Sequence, residues 1–142
     1  MNTVNVSSLS GSALDWAIAM CEDLPVVLDP MGFNNGPQAG FWIWDESKRS
    51  SAKYQLIGHD YSPTKDWAIG GKLMEKYDIY PSRFHGCATT NPNRYQAGSG
   101  IHWMRGETAL IAVMRAVVGL RFGKEIELPS HFDIAHKEAV RA

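Results

Sequence analysis

The chain has 142 residues, 44% of them apolar and 20% charged, with a formal net charge of −1 and a pI near 6.5. That balance fits one globular domain over residues 1–142 with a sizeable core, and excludes a disordered chain. Near-neutral charge gives no field for a phosphate backbone, which disfavours nucleic acid as a partner.

The opening "MNTVNVSSLSGS" lacks the basic and apolar regions of a signal peptide, and no apolar run approaches the roughly 20 residues a membrane helix needs. The expectation is a cytoplasmic chain with no membrane contact. Cys21 and Cys87 have no CxxC partner and no Cys/His companion at metal-ligand spacing, so they read as small buried hydrophobes in a reducing compartment.

In chain order, "SSLSGSALDWAIAMCEDLP" reads first as a helix. Ser10 or Ser12 is its cap, Asp15 stands where a capping-box acid would follow Ser12, and Leu14, Ala17, Ile18 and Cys21 form the buried face. "PVVLDPMG" is a short strand running into a turn, and "DPMGFNNGPQAG" has loop chemistry. Phe41–Asp45 and Tyr54–Gly58 make a hairpin around the polar "DESKRSS". Of the many tryptophans (Trp16, Trp42, Trp44, Trp67 and Trp103), most are expected to supply core area, and Trp42 and Trp44, on one strand face, are expected there rather than as an exposed stacking platform.

In "HDYSPTKDWAIGGKLMEKYDIYP", Ser62-Pro63 is a helix-start signature and Asp66 suits the first turn. Gly70-Gly71 is expected to break that helix, with a restart at Lys72. "HGCATTNPNRYQAGSG" reads as loop. The clearest helix lies in "GETALIAVMRAVVGLRFGKEIELP", where Leu110, Val113, Met114 and Val117 follow helical spacing and further apolar residues widen the stripe almost all round. Gly123 stops it, Glu125–Leu128 alternates as a half-buried strand, and residues 130–142 read as a peripheral tail. Without a regular βαβ rhythm, the fold class is α+β: a small, mainly antiparallel sheet packed against two principal helices.

Chemical motifs are sparse. The histidines (His59, His85, His102, His131 and His136) show no HxxxH or HExxH spacing, so no metal is expected. Gly70-Gly71-Lys72 resembles a generic anion site in which helix-terminal N–H groups stand beside a lysine. It is not a Walker loop, because Leu73 follows Lys72, and no cofactor is expected. His85 and Cys87 share a face if their stretch is extended, but no nucleophile elbow accompanies them.

Three segments together resemble the NinX-like family carried by tailed phages and prophages. The first holds Leu14, Asp15, Trp16 and Ala17; the second holds Tyr61, Ser62, Pro63, Asp66, Trp67, Gly70 and Gly71; the third holds Gly106, Thr108, Met114, Arg115 and Gly123. Lys72 departs from the pattern, which has proline after the paired glycines. The resemblance implies a phage or prophage accessory protein of the host bacterial cytoplasm, and no mechanism.

The leading expectation is a non-enzymatic module that binds a small anionic ligand or a host or phage protein. Its candidate site is Asp60, Tyr61, Asp66, Trp67, Gly70, Gly71 and Lys72, with Arg115 or Arg105 as a nearby cation. One alternative is a small nucleotide- or amide-directed enzyme, which needs His85, Cys87 or an Asp/His pair to converge. The other is a purely structural or interaction protein whose motif residues specify the fold.

Overall fold

The computed structural model describes residues 2–83, 93–100 and 102–132. His85, Cys87 and His136 lie outside them. The described residues form three α-helices and eight short strands: β1 (Asn2–Asn5), α1 (Gly11–Cys21), β2 (Val26–Leu28), β3 (Phe41–Trp44), β4 (Tyr54–Leu56), α2 (Trp67–Tyr77), β5 (Pro81–Arg83), β6 (Tyr95–Ser99), β7 (His102–Gly106), α3 (Ala109–Phe122) and β8 (Glu125–Leu128).

The strands form three antiparallel sheets, β1-β8, β2-β3-β4 and β5-β6-β7. The α+β class stands, but the expectation of one small sheet on two principal helices is wrong on both counts. The physical reason lies in α3. Leu110, Ala112, Val113, Met114, Ala116, Val117 and Val118 are all buried, so this helix offers apolar surface in every direction. A helix that is apolar all round must be covered all round. Both other helices, the β5-β6-β7 sheet and strand β8 pack on it.

α3 starts at Thr108, whose side-chain oxygen accepts from the Ile111 N–H at 3.1 Å. It ends where Gly123, at φ +88°, returns its N–H to the Gly119 carbonyl at 2.8 Å. That positive φ suits glycine. β8 has the expected alternation, with Ile126 and Leu128 buried and both glutamates exposed, and pairs with β1 in the register Asn2↔Leu128 to Asn5↔Glu125. The expected hairpin is β3 against β4, with Trp42 opposite Leu56 and Trp44 opposite Tyr54.

Two local readings change. Gly70-Gly71 does not break a helix: α2 runs unbroken from Trp67 to Tyr77, with Asp66 rather than Ser62 as its cap. Gly70 is where α2 meets α3, and a Cβ there would stand 2.5 Å from Leu110 Cδ2 and 3.1 Å from the Pro63 carbonyl oxygen. The missing side chain is a packing requirement. Likewise, Tyr95–Ser99 is strand β6 rather than loop, paired on both sides.

The tryptophans divide. Trp16 and Trp42 are buried; Trp16 packs against Phe41 and Phe132 at ring-centroid distances of 6.0 and 5.8 Å. Trp103 is 51% exposed, against the general expectation of tryptophans in the core, and Trp67, a residue of the candidate site, is 58% exposed.

Candidate functional site

The segment from Leu56 to Asp66 is a chain of self-satisfied turns. The Leu56 carbonyl accepts from the N–H groups of His59, Asp60 and Tyr61. Asp60 Oδ2 accepts from the Leu56 N–H at 3.0 Å, and that bond is the chief reason its carboxyl sits below the usual range. Its Oδ1 lies 2.9 Å from His59 Nδ1. The Ser62 carbonyl accepts from Lys65 and Asp66, which closes the next turn. Asp66 Oδ1 then accepts from the Ala68 N–H at 2.9 Å, a conventional N-cap.

The predicted site residues therefore go to different places. Asp60 and Asp66 hold backbone turns. Gly70 sits under Leu110 and Met114, and its N–H donates to the Asp66 carbonyl at 2.8 Å, so it does not face a ligand with a free donor. Gly71 lies within α2. Arg115 is in the core, where Nε donates to the Leu9 carbonyl and Nη1 to the Arg105 carbonyl, both at 2.8 Å. It ties the N-terminal turn to β7. Burial lowers its pKa. Arg105 Nη2 donates to the Asn93 carbonyl at 3.0 Å.

Tyr61 and Lys72 do come together. They line an open cleft of about 520 Å³ with Glu22, Lys48, Gln55 and Leu73. Tyr61 is buried, and desolvation, with Glu22 and Asp15 nearby, drives its hydroxyl above the usual tyrosine range. Glu22 is already engaged: its Oε2 accepts from Lys76 Nζ at 2.7 Å and from the Tyr77 hydroxyl at 2.6 Å. Neither Lys48 nor Lys72 forms an ion pair among the described residues. With Glu22 paired to Lys76, the lining keeps two lysines outside ion pairs, Lys48 lying within coulombic reach of the exposed Asp45.

Trp67 points elsewhere. It lines a second cleft, about 450 Å³, with Arg94, Tyr95, Glu107, Thr108 and Ala109. The first turn of α2 thus contributes to both clefts: Trp67 to one, Ala68 and Ile69 to the other.

Sequence reasoning missed Lys48, Gln55 and Glu22 in the first cleft and Arg94, Tyr95 and Glu107 in the second. Lys48 sat in a segment read as a hairpin connection, and no linear pattern ties it to Lys72. It also misread Asp15. The helix begins at Gly11 after Ser10, so Asp15 is not a capping-box acid but a fully buried carboxylate. Its Oδ1 accepts from the Thr64 N–H at 3.0 Å, while Oδ2 and the buried Thr64 Oγ1 make no hydrogen bond among the described residues. Desolvation raises this carboxyl from the ordinary 3.8 to about 6, against a smaller downward pull from Thr64 and Lys65.

No group of three or more His, Cys, Asp or Glu residues able to hold a metal ion occurs among the described residues. No helix there is long and apolar enough to cross a membrane. The family model for Bacteriophage P22, NinX, matches residues 5–121. No curated protein matches the chain.

Proposed function

The chain belongs to the Bacteriophage P22 NinX family, and we propose that this phage protein binds a small anionic ligand in the cleft between α2 and the β3–β4 hairpin connection. The observation that carries the reading is the pair Lys48 and Lys72, free of ion pairs among the described residues, in a cleft whose acidic residue is held by Lys76 and Tyr77. Burying a carboxylate or phosphate against two such ammonium groups adds charge-assisted hydrogen bonds, stronger than neutral ones. Gln55 supplies a further donor, and the Tyr61 ring forms an apolar wall. Tyr61 and Lys72 are site residues of the sequence reading; Lys48 and Gln55 complete the set.

The test is calorimetric titration at low ionic strength with inorganic phosphate, pyrophosphate and di- and tricarboxylates, since salt screens exposed charges. At least one anion should bind saturably, and Lys48→Ala with Lys72→Ala should weaken it at least about tenfold, roughly 1.4 kcal/mol, without changing the melting temperature. If no anion binds, or the double variant binds as well as wild type, the reading is lost.

A second reading, docking of a host or phage protein, is favoured by a different observation. Val27 and Leu28 on edge strand β2, with Met31 and Phe33 just beyond, are large apolar side chains left exposed in one short segment. Such clusters mark interaction surfaces more often than scattered single residues do.

A further inference from the structure

The second cleft has a chemistry distinct from the first, and we propose that it is a binding site for a free nucleobase or nucleoside, stacked on Trp67. Trp67 is the first residue of α2, and its indole is 58% exposed, so the core does not require it. Tyr95, half-buried on β6, lines the same cleft. An indole left in water beside a second aromatic residue is a platform for a planar ring, and stacking tolerates every base because each has a π-face.

The polar lining narrows the ligand further. Arg94 and Glu107 bring one positive and one negative charge to the cleft. An anion would meet Glu107, and an organic cation would meet Arg94. A neutral ring whose edge carries both acceptors and donors satisfies both, and that is the hydrogen-bonding pattern of a nucleobase: ring nitrogens or carbonyls toward guanidinium N–H groups, an exocyclic amine toward a carboxylate. Thr108 adds a hydroxyl whose oxygen already accepts from the Ile111 N–H, which leaves its O–H as a donor. At about 450 Å³ the cleft falls within the roughly 300–1,000 Å³ of small-molecule sites. The formal net charge of −1 favours a free base or nucleoside over a nucleic-acid strand.

This site is separate from the lysine-lined cleft and does not depend on the anionic-ligand reading. The test is titration of the full chain with adenosine, guanosine, cytidine and thymidine, and in parallel with single-stranded oligothymidylate at two salt concentrations. At least one free nucleoside should bind saturably. Trp67→Ala should weaken that binding by roughly 5- to 150-fold, the range expected for loss of one base–aromatic stack, while Trp67→Phe keeps most of it. Glu107→Gln should alter the ranking of bases with and without an exocyclic amine. In wild-type protein the Trp67 indole N–H resonance, assigned by its loss in Trp67→Phe, should shift on titration, which reads the contact even if Trp67→Ala folds poorly. No saturable nucleoside binding, an unmoved indole resonance, or binding confined to the oligonucleotide with a steep salt dependence would overturn the proposal.

Discussion

Among the described residues, Asp15 and Arg115 are the buried side chains with a formal charge, and the protein treats them differently. Arg115, on α3, spends its guanidinium on two backbone carbonyls, those of Leu9 and Arg105, at 2.8 Å each. Asp15, on α1, accepts a single bond from the Thr64 N–H and leaves its second oxygen unpaired among the described residues. Both belong to segments that resemble the family, yet only the arginine is well compensated. A buried charge stabilises a fold only when its hydrogen-bonding capacity is met; otherwise it costs more than it returns.

Removing Arg115 should therefore be the most damaging single change. Arg115→Met keeps much of the volume and removes the charge, but the buried Leu9 carbonyl and the part-buried Arg105 carbonyl both lose this donor. At about 1–3 kcal/mol for each orphaned group, the loss is about 3 kcal/mol or more. Arg115→Lys should recover only part of it, because one ammonium on a flexible stem cannot reproduce a planar fork. Urea unfolding reads the difference as a lower midpoint at unchanged slope. An unchanged midpoint in Arg115→Met would erase the contrast between the two residues.

Asp15 should behave in the opposite direction. Its native carboxyl titrates at about 6 against an ordinary 3.8, so between those values the folded state binds more protons than the unfolded one. Above about pH 6 the ionised carboxylate lowers stability in full, and the penalty fades as pH falls toward 4. A difference of about two pKa units corresponds to about 3 kcal/mol. Asp15→Asn keeps an acceptor for the Thr64 N–H, offers an amide donor toward Thr64 Oγ1, and carries no charge. It should be more stable than wild type at pH 7, with an advantage that shrinks as pH falls to 4. Taking that difference removes the background of carboxylates such as Asp45 and Asp60, which are held low by hydrogen bonds and contribute with the opposite slope. An advantage that stayed constant with pH would show that Asp15 does not titrate in this window.

The contrast also explains what the sequence could reveal. α3 and β8 were legible because a 3.6-residue stripe and a two-residue alternation follow directly from burial on one element. Strands β6 and β7 were not, since "YQAGS" and "HWMRG" carry glycines and no clean alternation. Gly98 is tolerated there because the neighbouring backbone at His102 and Trp103 comes too close for a Cβ. Gly70 misled for a related reason: glycine signals a break by local propensity, but here Leu110 needs the space, and packing overrode propensity. Asp15 stood at capping-box spacing from Ser12, while the partner that defines its role, Thr64, lies 49 residues away. Of the residues lining the lysine cleft, the sequence reading names Tyr61 and Lys72 but not Lys48, since only folding brings that lysine to the cleft.

Asp66 completes the series as the half-buried counterpart of Asp15. Both carboxylates accept one backbone N–H near the start of α2, from Ala68 at 2.9 Å and from Thr64 at 3.0 Å. Asp66 does so at the protein surface, where water can solvate its second oxygen, and at a helix N-terminus, where its charge is favoured. Its removal should thus cost only the cap. Asp66→Ala is expected to destabilise by about 1 kcal/mol, and Asp66→Asn, which keeps the accepting oxygen, by less. Because Trp67 follows immediately and lines the nucleoside cleft, amide exchange over Trp67–Gly71 should quicken in Asp66→Ala as the first turn frays. If that turn stays fully protected and the midpoint is unmoved, the cap is not what fixes the start of α2, and the tight packing of Gly70 beneath Leu110 holds the helix end instead.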